Sequence, residues 1–231
     1  MTSYQYTLPD DAEAPEFATK KDFALARIRE LIRRGDYLPG ARLRQAAVAS
    51  DLGLSLTPVR EALGELQTQG LVESVQHRGY RVVDPDPGRL AELYAARRVV
   101  ESAAARAAAR RLGGRRLDRL AELLEAMTAA EAAGDRGAMA AADEAFHHTL
   151  YAAGGNRYLL DSIAALWDAF PRHALWSIAG RPRVSLREHA AILDAARAGK
   201  PKKLARAIAA HLDDALAALL ADKGMDQGDR S

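Results

Sequence analysis

Cysteine is absent from this chain of 231 residues, and that gap removes disulfide frameworks, Cys-ligated zinc and thiol nucleophiles at once. Redox chemistry then leaves the compartment open, and a reducing cytoplasm is the expectation. Long apolar runs are missing as well. Hydrophobic residues make up 48% of the chain, yet no stretch approaches the ~18 uninterrupted apolar residues that a membrane helix needs. The opening MTSYQYTLPDDAEAPEF has no apolar segment and carries acids in place of bases, so it does not read as a signal peptide. Net charge is scarce too. The chain has 33 Lys+Arg against 31 Asp+Glu, which leaves +2. As an average, that balance argues against a nucleic-acid partner.

The average conceals a partition. Residues 1–19 hold Asp10, Asp11, Glu13 and Glu16 and no base, a charge of −4. Residues 20–83 hold 11 Lys/Arg and 7 Asp/Glu (+4), and residues 84–231 hold 22 and 20 (+2). Local charge, not the global sum, sets attraction to phosphate. Texture changes at the same boundary. Asp84-Pro85-Asp86-Pro87-Gly88 is a breaker cluster, and the sequence beyond it is rich in the Ala, Leu, Arg and Glu that favour straight helices. We divide the chain into an acidic flexible leader (1–19), a basic domain (20–83), a linker (84–88), a helical domain (89–223) and a flexible tail (224–231).

In the basic domain, Thr19 can cap a helix running to about Arg34, with Leu25, Ile28 and Ile32 on one face. Gly35 to Gly40 is a turn, and a short helix over about Gln45–Asp51 closes at Gly53. A third helix is expected from Thr57 as N-cap and Pro58 as first helical residue to about Gln69, with Val59, Leu63 and Leu66 inward. Extended pieces near Val72–Val75 and Tyr80–Val83 flank a hairpin at Gln76-His77-Arg78-Gly79. Helix, helix, tight turn, helix and β-wing make a winged helix-turn-helix. Its third helix fits a B-DNA major groove and presents first-turn side chains such as Arg60 to base edges. Arg78 at the wing tip could follow the backbone or minor groove.

The run from LPGARL through LGLSLTPVREAL and QTQGLV to RGYRV resembles the GntR family of bacterial transcription regulators across nearly all of residues 20–83. That resemblance implies DNA contacts from Ser55, Thr57 and Arg60 and from the wing positions His77, Arg78 and Gly79. It also exposes two departures. Relatives usually carry Arg where this chain has Leu56, and often where it has Ala46. A bidentate Arg–guanine pair contributes roughly 1–3 kcal/mol of discrimination, so an operator unlike the family's usual half-site, or weaker specific binding, is expected.

The second domain reads as an antiparallel all-α bundle of about six helices, near 89–111, 115–133, 135–153, 156–170, 183–198 and 201–222, broken at glycines. The fold class is thus mainly α. Ionisable residues stand on faces that should be apolar. Asp143 and His147 are four apart, near Met139, Phe146 and Leu150. His189 lies between Leu186 and Leu193, and His211 between Ile208 and Ala215. Each could be a separate core residue satisfied by its own neighbours, or together they could hold a divalent cation through nitrogen and oxygen. Spacing alone does not choose. Arg97 is a further outlier on a face with Leu90, Leu93, Val100 and Ala104. It could pair internally with Glu101 or receive an anion from outside.

LYAARRVVE, DEAFHHTL, AAGGN, REHAAIL and AIAAHL, occurring in that order over about 89–220, resemble the FCD effector domain of FadR-type GntR regulators. The resemblance implies that Asp143, His147, His189 and His211 are metal ligands. It implies that Arg97 meets an effector carboxylate, with Asn156 adding a hydrogen bond. His148 lies off the ligand face and His173 matches no family ligand. Trp167 and Trp176 read as packing residues. The metal would be zinc first, with nickel, iron or manganese also compatible.

The function expected is a metabolite-responsive transcription regulator, a repressor, that binds double-stranded operator DNA as a homodimer. It responds to a small carboxylate metabolite and has no membrane association. The rivals are a metal-dependent enzyme with a winged-helix appendage, a regulator whose metal is purely structural, and a direct metal sensor. Against the enzyme, no carboxylate beyond Asp143 is placed as a general base, and Glu144 lies about 100° away on its helix.

Overall fold

The computed structural model describes residues 19–75, 79–84, 86–169 and 172–228. Helix α1 (Lys20–Arg34) starts at Thr19, whose hydroxyl accepts the Asp22 N–H at 3.1 Å, and stops at Gly35 in the left-handed region. Its inward stripe is Ala24, Ile28 and Ile32, with Leu25 half-buried at the edge. A two-residue strand β1 (Arg42–Leu43) follows, too short to leave a periodic signal in sequence. Then come α2 (Gln45–Leu52), α3 (Leu56–Thr68), β2 (Val72–Val75) and β3 (Gly79–Val82). The strands form one antiparallel sheet in the order β1-β3-β2. Leu43 pairs with Tyr80, and Val72 with Val82.

The start of α3 corrects the sequence expectation. The N-cap is Ser55, not Thr57, and Pro58 falls at the third helical position. An N–H there lacks an intrahelical partner too, so proline is tolerated as well as at the first position. Pro58, Val59, Ala62, Leu63 and Leu66 are buried and complete a core with α1, α2 and the sheet.

The helical domain contains α4 (Pro87–Ala108), α5 (Arg115–Ala133), α6 (Arg136–Ala152), α7 (Arg157–Asp168), a 3-10 turn (Arg172–Ser177), α8 (Arg181–Arg197) and α9 (Pro201–Gly228). Its ends differ from the sequence reading in two places. Helix α4 begins inside the stretch expected to be linker. The Asp86 carboxylate accepts the N–H groups of Gly88 and Arg89 at 2.8 and 3.0 Å, with Pro87 in the first turn. Asp-Pro is therefore a helix start here, not only a breaker. Helix α9 continues to Gly228, past Lys223, where a free tail was expected.

Helix α4 packs along α9, α5 against α6, and α8 against both α5 and α9. Ala104, Ala105, Ala108 and Ala109 are all buried on or beside α4, and their small side chains let helices approach closely. This second core shares no residue with the first. Among the described residues, ion pairs join the domains at two places. Lys223 on α9 bonds Asp84 in the connection, and Arg29 Nε on α1 lies 4.0 Å from Asp168 Oδ2 on α7. Among the described residues, no helix is long and apolar enough to cross a membrane.

Candidate metal centre and nucleic-acid interface

Helix α6 places Asp143 and His147 one turn apart on its buried face, α8 supplies His189, and α9 supplies His211. All four are buried, and one ligand-type atom from each lies within 4.8 Å of the others. His147 Nε2 stands 3.1 Å from His189 Nε2, and Asp143 Oδ1 stands 3.1 and 3.7 Å from the Nε2 atoms of His189 and His147. The three imidazole centroids are 4.8–5.1 Å apart, with Phe146 edge-on to two of them.

The outer nitrogens decide what the inner ones can do. His189 Nδ1 lies 2.8 Å from the Ser185 carbonyl, which can only accept, so Nδ1 carries the proton. The Tyr151 hydroxyl gives its single proton to Glu101 Oε2 at 2.8 Å, so His147 Nδ1, 3.3 Å away, donates to the phenol oxygen. His211 Nδ1 donates to Glu188 Oε2 at 2.6 Å. With each ring neutral and its proton on Nδ1, the Nε2 lone pairs would face one another beside the Asp143 carboxylate. Lone pairs 3.1 Å apart repel unless a cation sits among them. Metal–ligand distances of ~2.0–2.2 Å put adjacent donors roughly 3–3.5 Å apart, so the observed spacings suit a divalent ion. Burial lowers the His211 pKa, although the Glu188 hydrogen bond opposes it, and this favours the neutral ring a metal needs. Burial would raise the Glu188 carboxyl, but hydrogen bonds from His211 and Arg181 outweigh it and hold it at about 2.

Arg97 and Glu101 occupy the same core stripe of α4 as Leu90, Tyr94 and Ala104. Arg97 Nε donates to Glu101 Oε1 at 2.7 Å, and its guanidinium lies 4.6 Å from the centre of the Tyr94 ring. Trp167 Nε1 donates to the same Oε1 at 3.1 Å. Glu101 is thus a buried hub with three donors, and one of them, Tyr151, orients His147. The internal pairing weighed for Arg97 is present, and burial, which works against its charge, is overcome by Glu101. Asn156 stands at the start of α7. It is exposed, and its side-chain carbonyl caps α7 by accepting the Leu159 N–H at 3.2 Å. His148 is exposed, off the ligand face. Trp176 is packed in the core. The sequence reading passed over Tyr151, Arg181, Ser185 and Glu188. The i,i+4 spacing of His147–Tyr151 and Ser185–His189 was an available signal, as was Glu188 beside His189 in REHAAIL.

On the first domain, Ser55, Leu56, Thr57 and Arg60 are all exposed around the N-terminal turn of α3, opposite its buried stripe. The Ser55 hydroxyl makes no capping bond and faces outward with them. Ala46 on α2 is exposed too. His77 and Arg78 lie outside the described residues. Gly79 has φ +89, and a Cβ there would stand 2.9 Å from the Leu43 carbonyl oxygen. Its glycine identity is thus explained by the close approach of β3 to β1.

Residues 92–214 match the FCD domain, and residues 20–82 match the bacterial regulatory proteins of the gntR family. The Paenarthrobacter nicotinovorans protein named "Probable D-xylose utilization operon transcriptional repressor" is 34% identical over 182 residues, spanning 78% of this chain and 80% of that protein. The HTH-type transcriptional repressor GlaR of Escherichia coli K12 is 32% identical over 62% of this chain and 66% of its own length. Among solved structures, E. coli McbR/YncC is similar with a TM-score of 0.78 at 25% identity, covering 90% of this chain and 100% of that one.

Proposed function

This chain belongs to the gntR family of bacterial transcription regulators, as a member with a C-terminal FCD domain, and on that premise we propose that it is a repressor released from operator DNA by a small organic acid bound at a divalent metal. The family is one of regulators, not enzymes. The observation that carries the reading is the convergence of three imidazoles and one carboxylate in a buried cluster, with the Nδ1 of each ring engaged by a neighbour.

Three neutral imidazoles and one carboxylate would leave a divalent ion with a surplus of one positive charge, which favours an anionic ligand. The ion would supply Lewis acidity to polarise and hold the effector's carboxylate. Asp143, His147, His189 and His211 would hold that ion, and Arg97 would add a buried positive charge through the N–H groups not engaged with Glu101. We assign Asn156 to helix capping and not to the effector.

On the DNA side, Ser55, Thr57 and Arg60 would enter the major groove, with Arg78 and His77 at the wing. A homodimer would match its two-fold axis to a pseudo-palindromic site. The effector changes DNA binding only if it prefers one arrangement of the domains over the other. The repressor names of the relatives support repression as the outcome.

The test is fluorescence anisotropy on the DNA upstream of the gene and its neighbours, titrated with metal-loaded and chelated protein and then with a panel of organic acids. Binding that is weakened by one acid, only in the loaded protein, supports the reading. Absence of any specific fragment, or release by acids without metal, would sink it. A purely structural metal would instead give His211→Ala protein of lower thermal stability with an unchanged inducer response.

A further inference from the structure

The three metal-facing histidines are not equally supported. His189 leans on a backbone carbonyl, His147 on a phenol, and His211 on a full carboxylate, Glu188. That carboxylate is itself gripped. Arg181 Nη1 donates to Glu188 Oε1 at 2.6 Å and Arg181 Nη2 to Oε2 at 2.7 Å, a bidentate fork. The Arg181 side chain is only 4% exposed and that of Glu188 only 13%. Arg181 and Glu188 are seven residues apart on α8, two turns along one face, so the clamp is built into a single rigid element.

We infer that Glu188, held by Arg181, is a positioning residue that fixes His211 for the metal and makes it the strongest nitrogen donor of the cluster. This rests on the metal reading above. Two observations carry it. A charged acceptor on the outer nitrogen of a metal-bound imidazole fixes the ring's tautomer and rotation and raises the basicity of the inner nitrogen. And the pair is a poor choice for stability alone. A buried ion pair seldom outperforms apolar packing, and Arg181 Nε is buried with no hydrogen bond. What the arrangement does achieve is placement. Helix α8 gives His189 to the cluster directly and governs α9's His211 through Glu188, so two helices are registered to each other at the site.

The experiment uses the full chain, stripped with chelator, titrated with cobalt(II) against a chromophoric competitor. Glu188→Gln keeps the shape and removes the charge. We expect its cobalt affinity to fall about 10–100-fold and its cobalt visible bands to shift, while the metal-free protein, with the buried Arg181 left without its countercharge, unfolds at a lower temperature than wild type. Glu188→Asp should recover part of the affinity, and His148→Gln, exposed on the same helix as His147, should leave it unchanged. If wild type binds cobalt and Glu188→Gln binds it equally with the same spectrum, the inference is overturned. If wild type binds no cobalt, the metal reading itself has failed. Should Glu188→Gln not fold, Arg181→Met, which keeps the carboxylate and removes its clamp, decides the matter. A weaker, spectrally shifted site supports the inference and an unaltered one overturns it.

Discussion

Replacing Arg97 with methionine is expected to destabilise the metal-free protein by about 3–5 kcal/mol, because it leaves a buried carboxylate without its countercharge. The structure sets that magnitude. Glu101 is 1% exposed and accepts from Arg97, Tyr151 and Trp167, and Arg97 is the charged one among these three donors. Methionine fills the volume of the aliphatic stem, so the cavity contribution is small and the measurement isolates charge. A domain of this kind has a total stability of about 5–15 kcal/mol, so the loss is a large fraction of it. At roughly 2–4 °C per kcal/mol for a chain of this size, Tm should fall by about 6–20 °C. Urea and thermal unfolding in chelator, followed by circular dichroism, give both quantities. Adding Glu101→Gln to the variant removes the stranded charge while its amide oxygen can still accept from Trp167. Most of the stability should return, with a coupling of about 2–3 kcal/mol between the two positions. The reasoning is refuted if Arg97→Met unfolds within about 1 kcal/mol of wild type or if the two substitutions add. An arginine serving only to grip an effector would leave the ligand-free protein as stable as before.

Asp143→Asn should abolish the rise in Tm on adding metal, which in wild type corresponds to about 2.7 kcal/mol at a hundredfold excess over Kd, read by thermal shift with and without chelator. Gly79→Ala should lower stability by about 1–3 kcal/mol, since it forces a side chain into a left-handed backbone 2.9 Å from the Leu43 carbonyl; unfolding midpoints that match wild type would remove the close-approach explanation. Leu56→Arg, at an exposed site in the first turn of α3, should tighten binding to guanine-containing half-sites by roughly 1–3 kcal/mol, measured by competitive anisotropy on sequence variants.

The helices of the second domain were legible because alanine- and leucine-rich stretches between glycines have one dominant local solution. The winged module was legible because its turns and caps are short-range. The misplacements are local as well. Thr57-Pro58 and Ser55-Leu56 offer competing starts for α3, and the helix takes the earlier one. Asp86-Pro87 reads equally as breaker and as cap. Strand β1 has no pattern of its own and exists because β3 offers it an edge. At the metal cluster, spacing placed Asp143 and His147 together, but only the fold brings His189 and His211 to them. Of the supports behind the rings, Tyr151 and Ser185 were legible from their i,i+4 spacing to His147 and His189, and the one behind His211 was not. Glu188 acts across to another helix, and nothing in a one-dimensional pattern says that its neighbour in space is His211.

Helix α9 has a mechanical consequence. It holds His211 in the cluster and, twelve residues later, Lys223 paired with Asp84 in the connection to the first domain. At 1.5 Å per residue, the two points are about 18 Å apart on one stiff rod. Pivoted at His211, a tilt of only about 5° would swing the ammonium by about 1.5 Å, more than the tolerance of a hydrogen bond. A displacement at the cluster too small to disturb the packing around it would thus arrive at the connection between the domains as a made or broken tether.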